Sequence, residues 1–126
     1  MNGEAQVRID LSSPEPAYRQ IAGQVRALIV EGALAPGATL PAVRRLAIDL
    51  GVHFNTVAEA YRQLAEEGHI DVSHGRVARV VARQVPPAEP EKVAQYQARL
   101  RNLLAEARSA GLTREQFREL FEGDEP

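Results

Sequence analysis

Residues 40–68, LPAVRRLAIDLGVHFNTVAEAYRQLAEEG, set two apolar-periodic segments either side of a single Gly-Val step. The spacing predicts a helix that begins near Pro41 or Ala42, buries Leu46, Ala47 and Leu50, and stops at Gly51. A proline suits the first turn of such a helix. A second helix is predicted from about Phe54 to Glu67. It buries Val57, Ala60 or Tyr61, and Leu64, and it stops at Gly68. The connection GVHF has the length and the glycine of a helix-turn-helix.

Upstream, Pro14 and Pro16 precede a predicted helix from about Ala17 to Glu31. Its stripe is Ala17, Ile21, Val25, Leu28 and Ile29, and Gly32 with the APG at 35–37 ends it. Downstream, HIDVS and RVARVVA are short β-branched runs around His74-Gly75, which reads as a hairpin whose Gly75 supplies the positive φ of a turn. Helix, helix, short turn, helix, hairpin is the order of a winged helix-turn-helix. A linker is expected at residues 84–91, within the proline-rich stretch QVPPAEPEK. The expected division is a winged helix-turn-helix domain at 12–83, that linker, and a helical segment at 92–122.

The helical segment carries Val93, Tyr96, Leu100, Leu103, Leu104 and Ala107 at three- and four-residue steps, ending at Gly111. Thr113 then caps a shorter helix, with Gln116 at the capping-box partner position. That helix is expected to bury Phe117, Leu120 and Phe121. Two helices of this size do not bury their apolar faces alone; they need each other, the first domain or a second copy of the chain. The fold class is therefore mainly α with a small β-hairpin.

Composition narrows the function classes. The 126 residues are 44% apolar and 25% charged, as in a globular chain. There is no cysteine, which removes disulfides, thiolate nucleophiles and thiolate metal sites. No apolar run is long enough for a signal peptide or a membrane span, so a cytoplasmic protein with no membrane partner is expected. The net charge of −2 argues mildly against nucleic acid, and its distribution says more. Residues 1–85 hold nine arginines against nine acids, and residues 86–126 hold six cations against eight acids. Fourteen of the fifteen cations are arginine, the side chain suited to bidentate contacts with phosphate and guanine; a GC-rich genome produces the same bias.

Several pieces stand in one order and spacing. Pro16, Ala17, Tyr18, Gln20 and Ile21 open the first helix. Pro36, Gly37, Leu40, Pro41, Ala42, Arg44, Leu46 and Ala47 lead into the second, and Gly51, Asn55, Thr56, Val57, Ala60 and Tyr61 make the third. Over roughly residues 14–82 these resemble the GntR family of bacterial transcription regulators, and the last run is similar to its short YtrA-type subfamily. There a small two-helix tail replaces a large ligand-binding domain. The sequence also departs from the pattern. His53 and Phe54 stand where the subfamily has a polar cap and proline. Ala42 lacks a capping hydroxyl, a loss of about 1 kcal/mol. The wing keeps Gly75 but has Val77, Ala78 and Arg79 in place of the usual Gly-x-Gly-Thr-Phe.

A recognition helix offers its N-terminal residues to base edges in the major groove. The resemblance transfers DNA contact to Arg44, His53, Phe54, Asn55 and Thr56, with Arg44 foremost. The family's basic residue at position 58 is alanine here. Asn55 has the donor and acceptor for an adenine edge, and Thr56 suits a phosphate or a thymine methyl. Both also fit plain helix caps. Arg62 lies on the outward face of the same helix. Arg45 doubles as a solvated partner of Arg44, and Tyr18 suits packing as well as phosphate. His74, Gly75 and Arg76 at the wing tip fit phosphate or the minor groove, and equally an exposed turn. The resemblance implies dimerisation through the tail, for which the apolar stripe 93–107 independently asks.

No metal site or cofactor is expected, since the three histidines lack helical i, i+4 spacing. No catalytic residue is expected either: there is no serine with a His–Asp partnership and no phosphate-gripping glycine loop. The expected function is a sequence-specific DNA-binding regulator, a repressor, that reads a palindromic operator in double-stranded DNA as a homodimer. An unidentified small-molecule effector is left open as a partner. The alternatives are a winged-helix module that binds protein only, which near-neutral charge favours, and a non-specific architectural DNA binder.

Overall fold

The computed structural model describes residues 7–73, 77–83 and 85–122. The chain forms two compact units, Met1–Gln84 and Val85–Pro126.

In the first unit, α1 (Ala17–Val30), α2 (Val43–Leu50) and α3 (Phe54–Glu66) precede the antiparallel strands β1 (Ile70–Asp71) and β2 (Arg79–Val80). Ile21 and Val25 of α1, Leu46 of α2, and Val57 and Leu64 of α3 are the largest fully buried side chains. Each such burial is worth about 1.5–3 kcal/mol, so the three apolar stripes assemble the helices. Ala60 and Tyr61 are both buried, where the periodicity left a choice between them. A bidentate ion pair from Arg26 to Glu67, 2.8 and 2.9 Å, ties α1 to the C-cap of α3.

Two features lie outside the periodic pattern. The segment before α1 lies against it, with Val7 buried in the core. The Gln24 side chain accepts from the Arg8 amide (2.9 Å) and donates to the Arg8 carbonyl (2.7 Å). Gln20 does the same for Asp10, at 2.7 and 3.1 Å, and adds a bond to the Glu15 carbonyl at 2.8 Å. Two side-chain amides one helical turn apart thus hold this segment against α1. The second feature widens the wing. β1 and β2 pair Ile70 with Val80 and Asp71 with Arg79, and Thr39 bridges Arg79 from the other side. The Leu40 amide donates to the Ala78 carbonyl and the Val80 amide to the Ala38 carbonyl, both at 2.8 Å. The stretch between α1 and α2 is thereby the third member of the wing, and it puts Leu34 and Leu40 into the core.

The second unit holds α4 (Pro90–Ser109) and α5 (Arg114–Glu122). α4 begins two residues before position 92, because Pro90 occupies its first turn, where a missing N–H costs nothing. At the far end Gly111 takes φ 107° and the Leu112 amide returns to the Ala107 carbonyl at 2.9 Å. Thr113 and Gln116 form the capping box reciprocally, at 2.9 and 3.2 Å. No residue of α4 is buried. The expected burial of Phe117, Leu120 and Phe121 is met only by Phe117, and only in part. Its ring meets Phe121 edge-on with centroids 5.1 Å apart, but Leu120 is 65% and Phe121 58% exposed. Helix periodicity marks an apolar face without supplying what covers it.

Candidate nucleic-acid interface

The α2–α3 corner determines what α3 presents. α2 starts after Ala42, which makes no side-chain cap, and ends at Gly51 with φ 72°, a left-handed conformation that glycine adopts without penalty. The chain then turns through Val52 to His53, the N-cap of α3. Its imidazole Nδ1 accepts from the Asn55 amide at 3.0 Å. A ring nitrogen therefore does what a serine or aspartate oxygen does at most helix starts. The Asn55 amide is thereby capped by the His53 side chain. Among the described residues, the exposed Asn55 side chain has no hydrogen-bond partner.

His53 also stacks on Phe54, with centroids 4.6 Å apart and planes at 27°. Over Phe54 lies the Arg44 guanidinium, 4.7 Å from the ring centroid. Phe54 is 39% exposed, an apolar ring left at the surface with a cation against its face. Arg44, Phe54 and His53 thus form one continuous surface group beside Asn55. Thr56 is half-buried just behind, its amide bonded to the His53 carbonyl at 3.0 Å. These five residues are the five to which the family resemblance assigned DNA contact, and the fold brings them together.

The other named residues lie apart from that group or are already engaged. Arg45 is exposed and pairs with Asp49 at 3.4 Å. Arg62 is held between Glu59 and Glu66, the latter at 3.0 Å; Glu59 holds the guanidinium by a charge-assisted hydrogen bond. Those contacts pull the Glu59 carboxyl below its ordinary pKa and raise that of Arg62. Tyr18 packs half-buried against the core, and its hydroxyl accepts from Arg19 Nε at 3.2 Å. His74, Gly75 and Arg76 lie outside the described residues. Arg79 was not singled out by the sequence reading. It is exposed on β2 between buried Ala78 and Val80, and the alternation of RVARV was the signal for it.

A hollow of about 320 Å³ opens between the start of α2, α3 and the wing, lined by Pro41, Val43, Ala58, Tyr61, Arg62, Val72 and Ala78. The small side chain of Ala58 is one of its walls. Among the described residues no group of His, Asp and Glu is arranged to hold a metal. None of their helices is long and apolar enough to cross a membrane.

Residues 17–80 match the bacterial regulatory proteins of the gntR family. The chain belongs to the GntR family. It is 33% identical to the HTH-type transcriptional repressor YtrA of Bacillus subtilis, over 90% of this chain and 87% of that one. To the HTH-type transcriptional regulator Rv1152 of Mycobacterium tuberculosis it is 38% identical, over 86% and 84%. Among solved structures, YtrA from Sulfolobus acidocaldarius, a GntR-family transcription factor, superposes with a TM-score of 0.61 at 36% identity, covering 83% of this chain and 99% of that one. Members of the GntR family are DNA-binding transcriptional regulators and not enzymes, and the likeness to YtrA-type regulators extends through the tail as well as the winged domain. That displaces the module that binds protein only.

Proposed function

We propose that the protein is a homodimeric repressor that reads a palindromic operator in double-stranded DNA. The observation that carries this reading is the surface group of Arg44, Phe54 and His53 beside the unpartnered side chain of Asn55. An asparagine amide suits the adenine edge, and an arginine held against an aromatic ring keeps its charge and its fork of donors while losing rotamer freedom. His53 completes the group, and the Thr56 hydroxyl and the positive end of the helix dipole favour a phosphate nearby. At the wing, the minor-groove contact is assigned to His74, Gly75 and Arg76, the residues at the hairpin tip in the sequence.

Dimerisation through the tail is supported by the exposed row of Val93, Tyr96, Leu100 and Leu103 on α4, continued by Leu104 and Ala107, with Phe117, Leu120 and Phe121 on α5. A row of that size is unstable in water without cover. Two recognition helices then meet half-sites about 34–36 Å apart. Repression is the activity named for the Bacillus relative. A regulator of this kind works in the cytoplasm, where the chromosome is.

Selection from a randomised duplex-DNA pool, at near-physiological salt and with purified protein of known sedimentation, tests the reading. Enrichment of a two-fold palindrome by a dimer supports it. Enrichment of a single half-site by a monomer overturns the dimer, and folded protein that enriches nothing overturns specific reading.

A further inference from the structure

The His53 ring is fixed by two contacts of different kinds. Its Nδ1 accepts from the Asn55 amide at 3.0 Å, and its face stacks on Phe54 with centroids 4.6 Å apart. The first sets the edge of the ring and the second its plane. The residue is otherwise exposed, and among the described residues its Nε2 has no hydrogen-bond partner. A neutral imidazole that accepts at one nitrogen carries its single proton on the other. Nε2–H is therefore a donor of fixed direction at the surface where Arg44, Phe54 and Asn55 meet. The charged ring carries protons on both nitrogens, which would set two donors, Nδ1–H and the Asn55 N–H, against each other. Cap and outward donor thus require one and the same neutral tautomer.

We infer that His53 meets DNA as a neutral, directed donor, giving its Nε2 proton to an acceptor on the operator while Nδ1 keeps the Asn55 amide. That acceptor is a phosphate oxygen or an acceptor atom on a base edge; the amino groups of adenine and cytosine, being donors, do not serve. A neutral donor brings no charge to the duplex, so this contact releases no condensed cation, unlike that of an arginine. The ring also holds the turn from which Asn55 projects, so it positions one contact residue while making a contact of its own. Oxygen caps accept from the same amide without this second donor on the far side of a ring. This role rests on the operator reading above.

Long-range ¹H–¹⁵N NMR of the full chain tests this, free and saturated with the duplex that the unaltered protein selects. His53 is expected to show an unprotonated Nδ1 and a protonated Nε2 in both states, with the Nε2 proton shifted by DNA. A mixture of tautomers in the free protein overturns the fixed donor, and protonation of both nitrogens in the complex overturns the neutral contact. An Nε2 proton that DNA leaves unmoved overturns the contact itself. None of these readings depends on a variant folding. Duplexes with single methylphosphonates then name the acceptor: a position that erases the shift marks a phosphate, and a shift that survives at every position marks a base edge. His53→Asn keeps a preferred capping oxygen near the place of Nδ1 and removes the far donor. It is expected to keep the melting temperature, to bind about ten-fold more weakly, and to keep the slope of affinity against salt. A slope shallower by about 0.9 would show that His53 binds as a cation, and equal affinity that it does not bind; either overturns the inference. Unaltered protein that selects no duplex fails the operator reading and this role with it, whereas a selected duplex with a silent His53 fails this role alone.

Discussion

The Tyr61 hydroxyl donates a 2.7 Å hydrogen bond to the carbonyl of Pro41, joining the middle of α3 to the residue before the α2 N-cap. Burial raises the pKa of this phenol, so it stays a donor at any physiological pH. Since Ala42 offers no capping oxygen, this bond is what anchors the entry to α2, three residues before Arg44. Tyr61→Phe is therefore expected to destabilise the winged domain by about 1–2 kcal/mol, because the Pro41 carbonyl loses its partner in a half-buried place. Chemical denaturation measures this. An unchanged midpoint would mean that water replaces the hydroxyl without cost.

Arg44→Ala is expected to weaken operator binding by roughly 1–3 kcal/mol with the melting temperature unchanged. Phe54→Ala is expected to weaken it in the same direction by less, by removing the ring against which the guanidinium rests; such a contact is worth about 0.5–1 kcal/mol at an exposed site. Band-shift titrations of both variants and of the double variant decide whether the two act together. Fully additive losses would show that Phe54 contacts DNA independently of Arg44.

Stability is expected to fall on acidification in two stages. Burial, aided by Arg83 and Arg26, lowers the pKa of His69 below its ordinary 6.5 against the opposing pull of Glu67. The unfolded chain therefore takes up a proton that the folded chain resists, and stability present above that value drains as pH falls below it. Arg26, seconded by Gln63, holds the Glu67 carboxyl below its ordinary 4.5. Its contribution is present above 4.5 and is lost as pH falls through the lowered value. Urea midpoints measured from about pH 8 down to about pH 2 follow both stages. His69→Gln should flatten the first stage alone, and a wild-type midpoint that rises between pH 7 and 6 would show the sign to be wrong.

Gln20→Ala is expected to cost about 2 kcal/mol, since three hydrogen bonds worth about 0.5–1.5 kcal/mol each disappear. The amide of Asp10 should then exchange with solvent faster while those of α3 do not, which hydrogen-exchange measurement resolves. Equal acceleration in both would place Gln20 in the global fold.

Leu100→Asp/Leu103→Asp is expected to give a monomer by sedimentation and to abolish cooperative binding to a two-half-site operator. The melting of the winged domain should be unaltered. Retention of the dimer would move the interface off α4.

The helices and their order were legible because each buries one stripe, and a stripe leaves a period in the sequence. Leu46, Val57 and Leu64 were readable in that way. Val7 was not, because a short irregular segment held by Gln20 and Gln24 leaves no period, and both glutamines look like surface residues. Thr39 was not, because backbone pairing with Arg79 needs no particular side chain. At the candidate site, the family's spacing pointed to Arg44, Asn55 and Thr56, and the fold places them near one another. The service of His53 as cap was hidden, since the reading took it for a departure from a polar cap when its ring nitrogen is one. Leu120 and Phe121 were assigned to an interior that one chain does not contain.

The clamp of Glu59 and Glu66 on Arg62 bears on how such a protein travels along a chromosome. A helix that carries its own counter-ions releases few of DNA's, so its hold on random sequence is shallow and only weakly eroded by added salt. On the proposed reading, dwell time then accumulates where Arg44 and its neighbours find matching bases. The same arrangement shortens each wrong stop and lets a net-acidic chain search a polyanion.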